Sequence, residues 1–136
     1  MSTTEASPTI VTGVDFVSVP TQDLERAVEF YGTALGLRRS MYKPERNFAE
    51  FETGTVTLSV VNPEKMGIGD FAPNRNHLAL HVDDVAARKA ELEARGVQFA
   101  RDDVFDTGVC HMAFLADPDG NALMLHHRYA PRVPEA

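Results

Sequence analysis

The stretch HLALHVDDVAARKAELEARGVQF, residues 77–99, decides the fold, because it changes period partway along. Leu78, Leu80 and Val82 alternate with His77, Ala79 and His81, the two-residue period of a strand with one buried face. From Val85 onward, Ala86, Lys89, Leu92 and Ala94 fall along a helix, with Asp84 placed to cap its start and Gly96 to end it. The expected helix spans Asp84 to Arg95. Four residues of strand put the α-carbons of His77 and His81 about 13 Å apart, whereas the donors of one ion lie about 2.1 Å from it. The two histidines therefore cannot share a metal.

Working outward, the same plan occurs earlier. FVSVPTQDLERAVEFYGTALGL, residues 16–37, alternates at Val17 and Val19 and offers Asp23 as an N-cap. Leu24, Ala27, Val28, Tyr31 and Leu35 then form an apolar stripe that Gly36 closes. Phe16 precedes Asp23 by seven residues, as His77 precedes Asp84. The sequels also match. NFAEFETGTVTLSVV (47–61) and HMAFLADPDGNALMLHH (111–127) each read as strand, tight turn, strand, with Gly54 and Gly120 at the turns. Aligning those glycines sets Leu58 against Met124 and Val60 against His126. Short strands in LRRSMY (37–42) and VQFARD (97–102) complete two β-α-β-β-β modules.

The expected fold is α+β: two tandem modules forming a curved mixed sheet around a central trough, with the helices on the outer face. The divisions are an N-terminal tail 1–9, module 1 at 10–61, a connector rich in Gly, Pro and Asn at 62–74, module 2 at 75–130 and a C-terminal tail 131–136, all in one domain. A net charge of −7 without a Lys/Arg cluster argues against nucleic acid or an anionic membrane as partner. No apolar run reaches transmembrane length, and MSTTEASPT lacks the blocks of a signal peptide. A single cysteine, Cys110, forms no internal disulfide, which suits a reducing cytoplasm.

Three segments, DLERAVEFYGTALGL (23–37), NHLALHVDD (76–84) and FLADPDGNALML (114–125), resemble the vicinal oxygen chelate superfamily, the glyoxalase, bleomycin-resistance and extradiol dioxygenase fold. The resemblance spans about residues 12–130. It implies a homodimer, and a range of functions from lyases and dioxygenases to drug-binding proteins. Metal-dependent members place one ligand on the first and one on the last strand of each module. Carried over, those positions are Phe16, Leu58, His77 and Met124, of which only His77 is a ligand for a hard or borderline divalent ion. No metal or other cofactor is therefore expected. A relocated set of His77, His111 and His126 is the alternative, and would hold Fe, Mn, Zn or Ni.

Period-two parity assigns Phe16, Ser18, Leu58, Val60, His77, Ala79, His111, Met124 and His126 to the trough as ligand-binding residues, provided Phe114 points to the helix layer. Glu50 shares parity with Phe48 and is assigned away from the trough. DPDG, residues 117–120, reads as a turn by backbone chemistry, and Tyr31 has no recognisable partner. The function so implied is binding of a small, largely apolar or aromatic molecule between the modules. The alternative is a metal-dependent lyase or dioxygenase built on the relocated histidines.

Overall fold

The computed structural model describes residues 9–132, so 1–8 and 133–136 of the expected tails lie outside the described residues. Module 1 runs β1 (Phe16–Pro20), α1 (Leu24–Val28), β2 (Arg38–Lys43), β3 (Phe48–Glu52) and β4 (Thr57–Val61). After α2 (Pro63–Met66), module 2 runs β5 (Leu78–His81), α3 (Val85–Ala94), β6 (Phe105–Asp106), β7 (Cys110–Ala116) and β8 (Ala122–Arg128). The strands form two mixed four-stranded sheets, ordered β1-β4-β3-β2 and β5-β8-β7-β6. In each, the first strand lies parallel to the last and the remaining pairs are antiparallel. β1 and β5 are thus edge strands.

The caps act as their chemistry dictates. Asp23 accepts from the Arg26 amide and Asp84 from the Ala87 amide, each satisfying a donor that the first helical turn leaves free. Beyond Val28 the first helix widens into a π-helical turn over Glu29–Ala34, closed by a 2.9 Å bond from Leu35 N to Phe30 O. It then stops at Gly36, whose φ of +75° is a conformation that costs glycine least. Lys89 lies on the buried stripe of α3, yet its ammonium reaches Glu93 Oε2 at 3.2 Å and Asp102 O at 3.0 Å. Its stem packs while its head stays paired.

One strand differs from expectation. VQFARD contributes only an isolated bridge between Phe99 and Leu115, and the fourth strand of module 2 is instead the two-residue β6. The segment is held from two sides, by Ala100 N donating to Phe114 O of β7 at 2.8 Å and by Lys89 of α3 donating to Asp102 O at 3.0 Å. The core lies between helices and sheets. Val19, Ala27, Tyr31, Phe51, Leu58 and Val60 are buried in module 1, and Val85, Leu92, Ala113, Leu115, Leu123 and Leu125 in module 2.

Candidate functional site

Strand parity gives each sheet a helix-packed face and a helix-free face. On β1 and β4 the pairs Val17–Leu58 and Val19–Val60 belong to the helix-packed face, with Leu58 and Val60 fully buried. Phe16–Thr57 and Ser18–Ser59 belong to the helix-free face, where Phe16 is 57% exposed while Ser59, on the inner strand β4, is buried. On β5 and β8, Ala79–Met124 and His81–His126 share the helix-free face, while Leu78–Leu123 and Leu80–Leu125 pack inward. His77, just before β5, stands edge-to-face against Phe114 with ring centroids 5.1 Å apart. Phe16, Ser18, His77, Ala79, Met124 and His126 are therefore brought onto helix-free faces.

Three other residues assigned to the trough lie elsewhere. Leu58 and Val60 are core residues under α1, because the turn through Gly54 offsets β4 by one residue from the glycine alignment. Superposing Phe16 on His77 by the strand register pairs Ser59, not Leu58, with Met124. His111 also faces the other way. Phe114 pairs with Met124 on the helix-free face, so Ala113 and Leu115 are buried under α3 and His111 shares their parity. His111 stacks on Tyr129 at 4.7 Å and lies 3.4 Å from Asp106 Oδ2. Glu50 also lies on the face opposite to expectation: it pairs with Ser59 on the helix-free face while its neighbours Ala49 and Phe51 are fully buried.

These placements test whether the chain fits a metal. The four corresponding positions are Phe16, Ser59, His77 and Met124, which supply one imidazole, a neutral hydroxyl, a thioether and no donor at Phe16. The relocated set is split, since His111 lies on the opposite face from His126. Among the described residues no three His, Cys, Asp or Glu side chains converge on a metal position. The donors present do not fit a divalent ion held as the superfamily holds it.

Sequence reading missed how the modules are joined. The buried phenol of Tyr31 donates to Asp117 Oδ2 at 2.6 Å, and Asn121 Nδ2 donates to Pro20 O at 2.8 Å. Asp119, its side chain fully enclosed, accepts from Thr21 Oγ1 at 2.6 Å, Gln22 N at 2.9 Å and Arg26 Nη2 at 3.3 Å. DPDG is thus a clasp as well as a turn. Burial and the facing carboxylate push the Tyr31 phenol far above its ordinary pKa. The one signal in sequence was an acidic turn richer in carboxylates than turn geometry requires.

A cavity of about 510 Å³ lies between the modules on the helix-packed side. Val17, Leu35, Leu37 and Leu58 of module 1 face Leu78, Leu80, Leu92 and Leu125 of module 2 across it, with Arg88 and Glu91 of α3 and Arg95 at its C-terminal cap forming a polar end.

This duplicated architecture is that of a recognised family. The sequence matches the Glyoxalase/Bleomycin resistance protein/Dioxygenase superfamily over residues 13–125, and the chain belongs to it. It is 26% identical to a probable lactoylglutathione lyase of Vibrio cholerae, over 76% of this chain and 81% of that one. It is 27% identical to TnmS3, an antibiotic binding protein from Streptomyces sp. CB03234, with a TM-score of 0.72 over 88% of this chain and 98% of that one. A lactoylglutathione lyase from Agrobacterium tumefaciens, 20% identical with a TM-score of 0.73 over 85% of this chain and 93% of that one, shares the fold. No helix among the described residues is long and apolar enough to cross a membrane.

Proposed function

We propose that the protein binds a small, largely apolar or aromatic molecule on its helix-free sheet faces, without the metal centre of the superfamily's metal-dependent members. The observation that carries this reading is the set Phe16, Ser59, His77 and Met124: an aromatic ring, a hydroxyl, an imidazole and a thioether suit contact with an organic ligand and not coordination. Phe16 and the His77–Phe114 pair supply aromatic surface, and the imidazole supplies a hydrogen-bonding group. Similarity to an antibiotic binding protein points the same way.

The functional unit is a homodimer. β1 and β5 are open edges, and the exposed Phe16 beside them is apolar surface that a second copy would cover, closing a trough between a module of each chain. The site and the molecule both belong to a reducing cytoplasm.

Three measurements test the reading. A panel of aromatic and apolar compounds is expected to raise the melting temperature, by about 2.7 kcal/mol of stabilisation at a hundred times Kd, and the gain is expected to shrink in His77→Ala. Light scattering is expected to show a species of twice 15.0 kDa. A tightly held metal near one equivalent per chain, recovered after growth with Fe, Mn, Zn, Ni and Co and lost in His77→Ala, would sink the proposal and leave the lyase or dioxygenase reading in its place.

A further inference from the structure

The cavity between the modules is separate from the helix-free faces. Val17, Leu58, Leu80 and Leu125 alternate along their strands with Phe16, Ser59, Ala79 and Met124, so the two sets open on opposite sides of the sheets. Ala79 and His81 border the cavity only along β5, an edge strand. Its volume of about 510 Å³ is that of a small-molecule site. Val17, Leu35, Leu37, Leu78, Leu80 and Val82 remain only half-buried around it. Apolar side chains of a folded core ordinarily pack to high density, and here six of them face a space instead.

The charged groups of the cavity, Arg88, Glu91 and Arg95, lie on α3 and at its C-terminal cap. Arg88 Nη1 lies 3.2 and 3.3 Å from the two oxygens of Glu91, while its Nε lies 3.2 Å from Asp83. Arg88 therefore engages both nearby carboxylates. Arg95 donates from Nη1 to Ala34 O at 2.8 Å, and its Nη2 comes no nearer to Glu91 than 4.0 Å. Two guanidiniums and one carboxylate line the cavity, and among the described residues Arg95 meets a carboxylate only at the 4.0 Å of its ion pair with Glu91, its side chain 46% exposed.

We propose that this cavity is a second ligand site, which takes a small apolar monocarboxylate with its hydrocarbon on the leucine floor and its carboxylate on Arg95. The walls come from both modules, through β1, the β3–β4 turn and the segment after α1 on one side, and through β5, β8 and α3 on the other. Such an enclosure is a recess suited to a small molecule, whereas a second copy would have to insert a segment into it. A guanidinium binds a carboxylate through paired, charge-assisted hydrogen bonds, which supplies orientation as well as attraction.

Titration calorimetry of the full chain with octanoate and with octan-1-ol tests the assignment. Octanoate is expected to bind saturably, and Arg95→Gln to weaken it by about tenfold or more while leaving octan-1-ol unaffected. Leu80→Trp, which fills the cavity, is expected to abolish both. Since that variant can misfold, wild-type protein is also labelled with a diazirine-bearing fatty carboxylate, and the adduct is expected within residues 78–95. The proposal is overturned by an absence of saturable octanoate binding, by equal loss of acid and alcohol in Arg95→Gln, or by labelling at Phe16 or Met124. It is overturned too if octanoate fails to bind and Leu80→Trp converts a dimer to monomers, because a second copy then fills the recess.

Discussion

Tyr31 Oη donates a 2.6 Å hydrogen bond to Asp117 Oδ2, joining a helix of module 1 to a turn of module 2 through two side chains that are both buried. Asp117 also accepts from Asn121 Nδ2 at 2.7 Å and from the Asp119 and Asn121 amides at 2.9 Å, so its carboxylate is fully engaged. Tyr31→Phe removes one of four donors and preserves the ring's packing on Phe51. Loss of a bond to a charged acceptor is expected to cost roughly 1.5–3 kcal/mol, read as a lower urea midpoint with an unchanged slope. A loss below about 0.5 kcal/mol would mean that the clasp contributes no more than an ordinary surface contact.

The same phenol sets an alkaline limit. Burial first, and the facing Asp117 second, raise its pKa in the folded protein above the ordinary value near 10. In the unfolded chain Tyr31 ionises near its ordinary value, so the folded state binds more protons once the pH passes about 10. The stability contributed by the neutral phenol is complete below that pH and is lost as pH rises above it. Denaturation midpoints measured from neutral pH to beyond 10 are expected to fall, and Tyr31→Phe to flatten the decline. Parallel slopes in the two proteins would assign alkaline sensitivity to other groups.

What was legible in the sequence follows from how local each signal is. Asp23 and Asp84 cap their helices, and Gly36 takes positive φ, because these roles depend only on neighbours in the chain. The duplication was visible for the same reason. Facing is less local. Ser59 rather than Leu58 corresponds to Met124, since a one-residue change in a turn reverses the facing of the whole strand after it. His111 and Glu50 differ from expectation for another reason, that their parity is counted from Phe114 and Phe48, aromatic residues that lie on the helix-free faces. The Tyr31–Asp117 bond spans 86 residues, and no local pattern announces it.

That distinction makes Leu58 and Phe16 opposite tests. Leu58 is fully buried on the helix-packed face of β4, whereas Phe16 is 57% exposed on the helix-free face. Leu58→Ala is expected to destabilise by roughly 2–5 kcal/mol through lost burial and the space left behind. Phe16→Ala is expected to change stability by less than about 1 kcal/mol while weakening binding of an aromatic ligand several-fold. Chemical denaturation and ligand titration on both variants separate the roles. If Leu58→Ala left stability intact, the assignment of β4's faces would be wrong.

The strongest test of the site is to give it the donors it lacks. Phe16, Ser59, His77 and Met124 correspond by strand register to the positions that the family resemblance implies for metal ligands, and only His77 is a fit donor. The triple variant Phe16→His, Ser59→Glu, Met124→Glu would place two imidazoles and two carboxylates there, a set that suits Zn or Ni. Elemental analysis after exhaustive dialysis is expected to find about one metal ion per chain in the variant and far less in the wild type, where one imidazole is too few to hold an ion. Strand register supplies the control. With Leu58→Glu in place of Ser59→Glu, the new carboxylate enters the core beside Val60 and Phe51, where an unpaired charge costs several kcal/mol. That protein is expected to unfold or to bind no metal. Metal held by the Leu58→Glu protein and not by the Ser59→Glu one would show that β4 presents Leu58 rather than Ser59 to the helix-free face, and the site's geometry would then have to be redrawn from that residue outward.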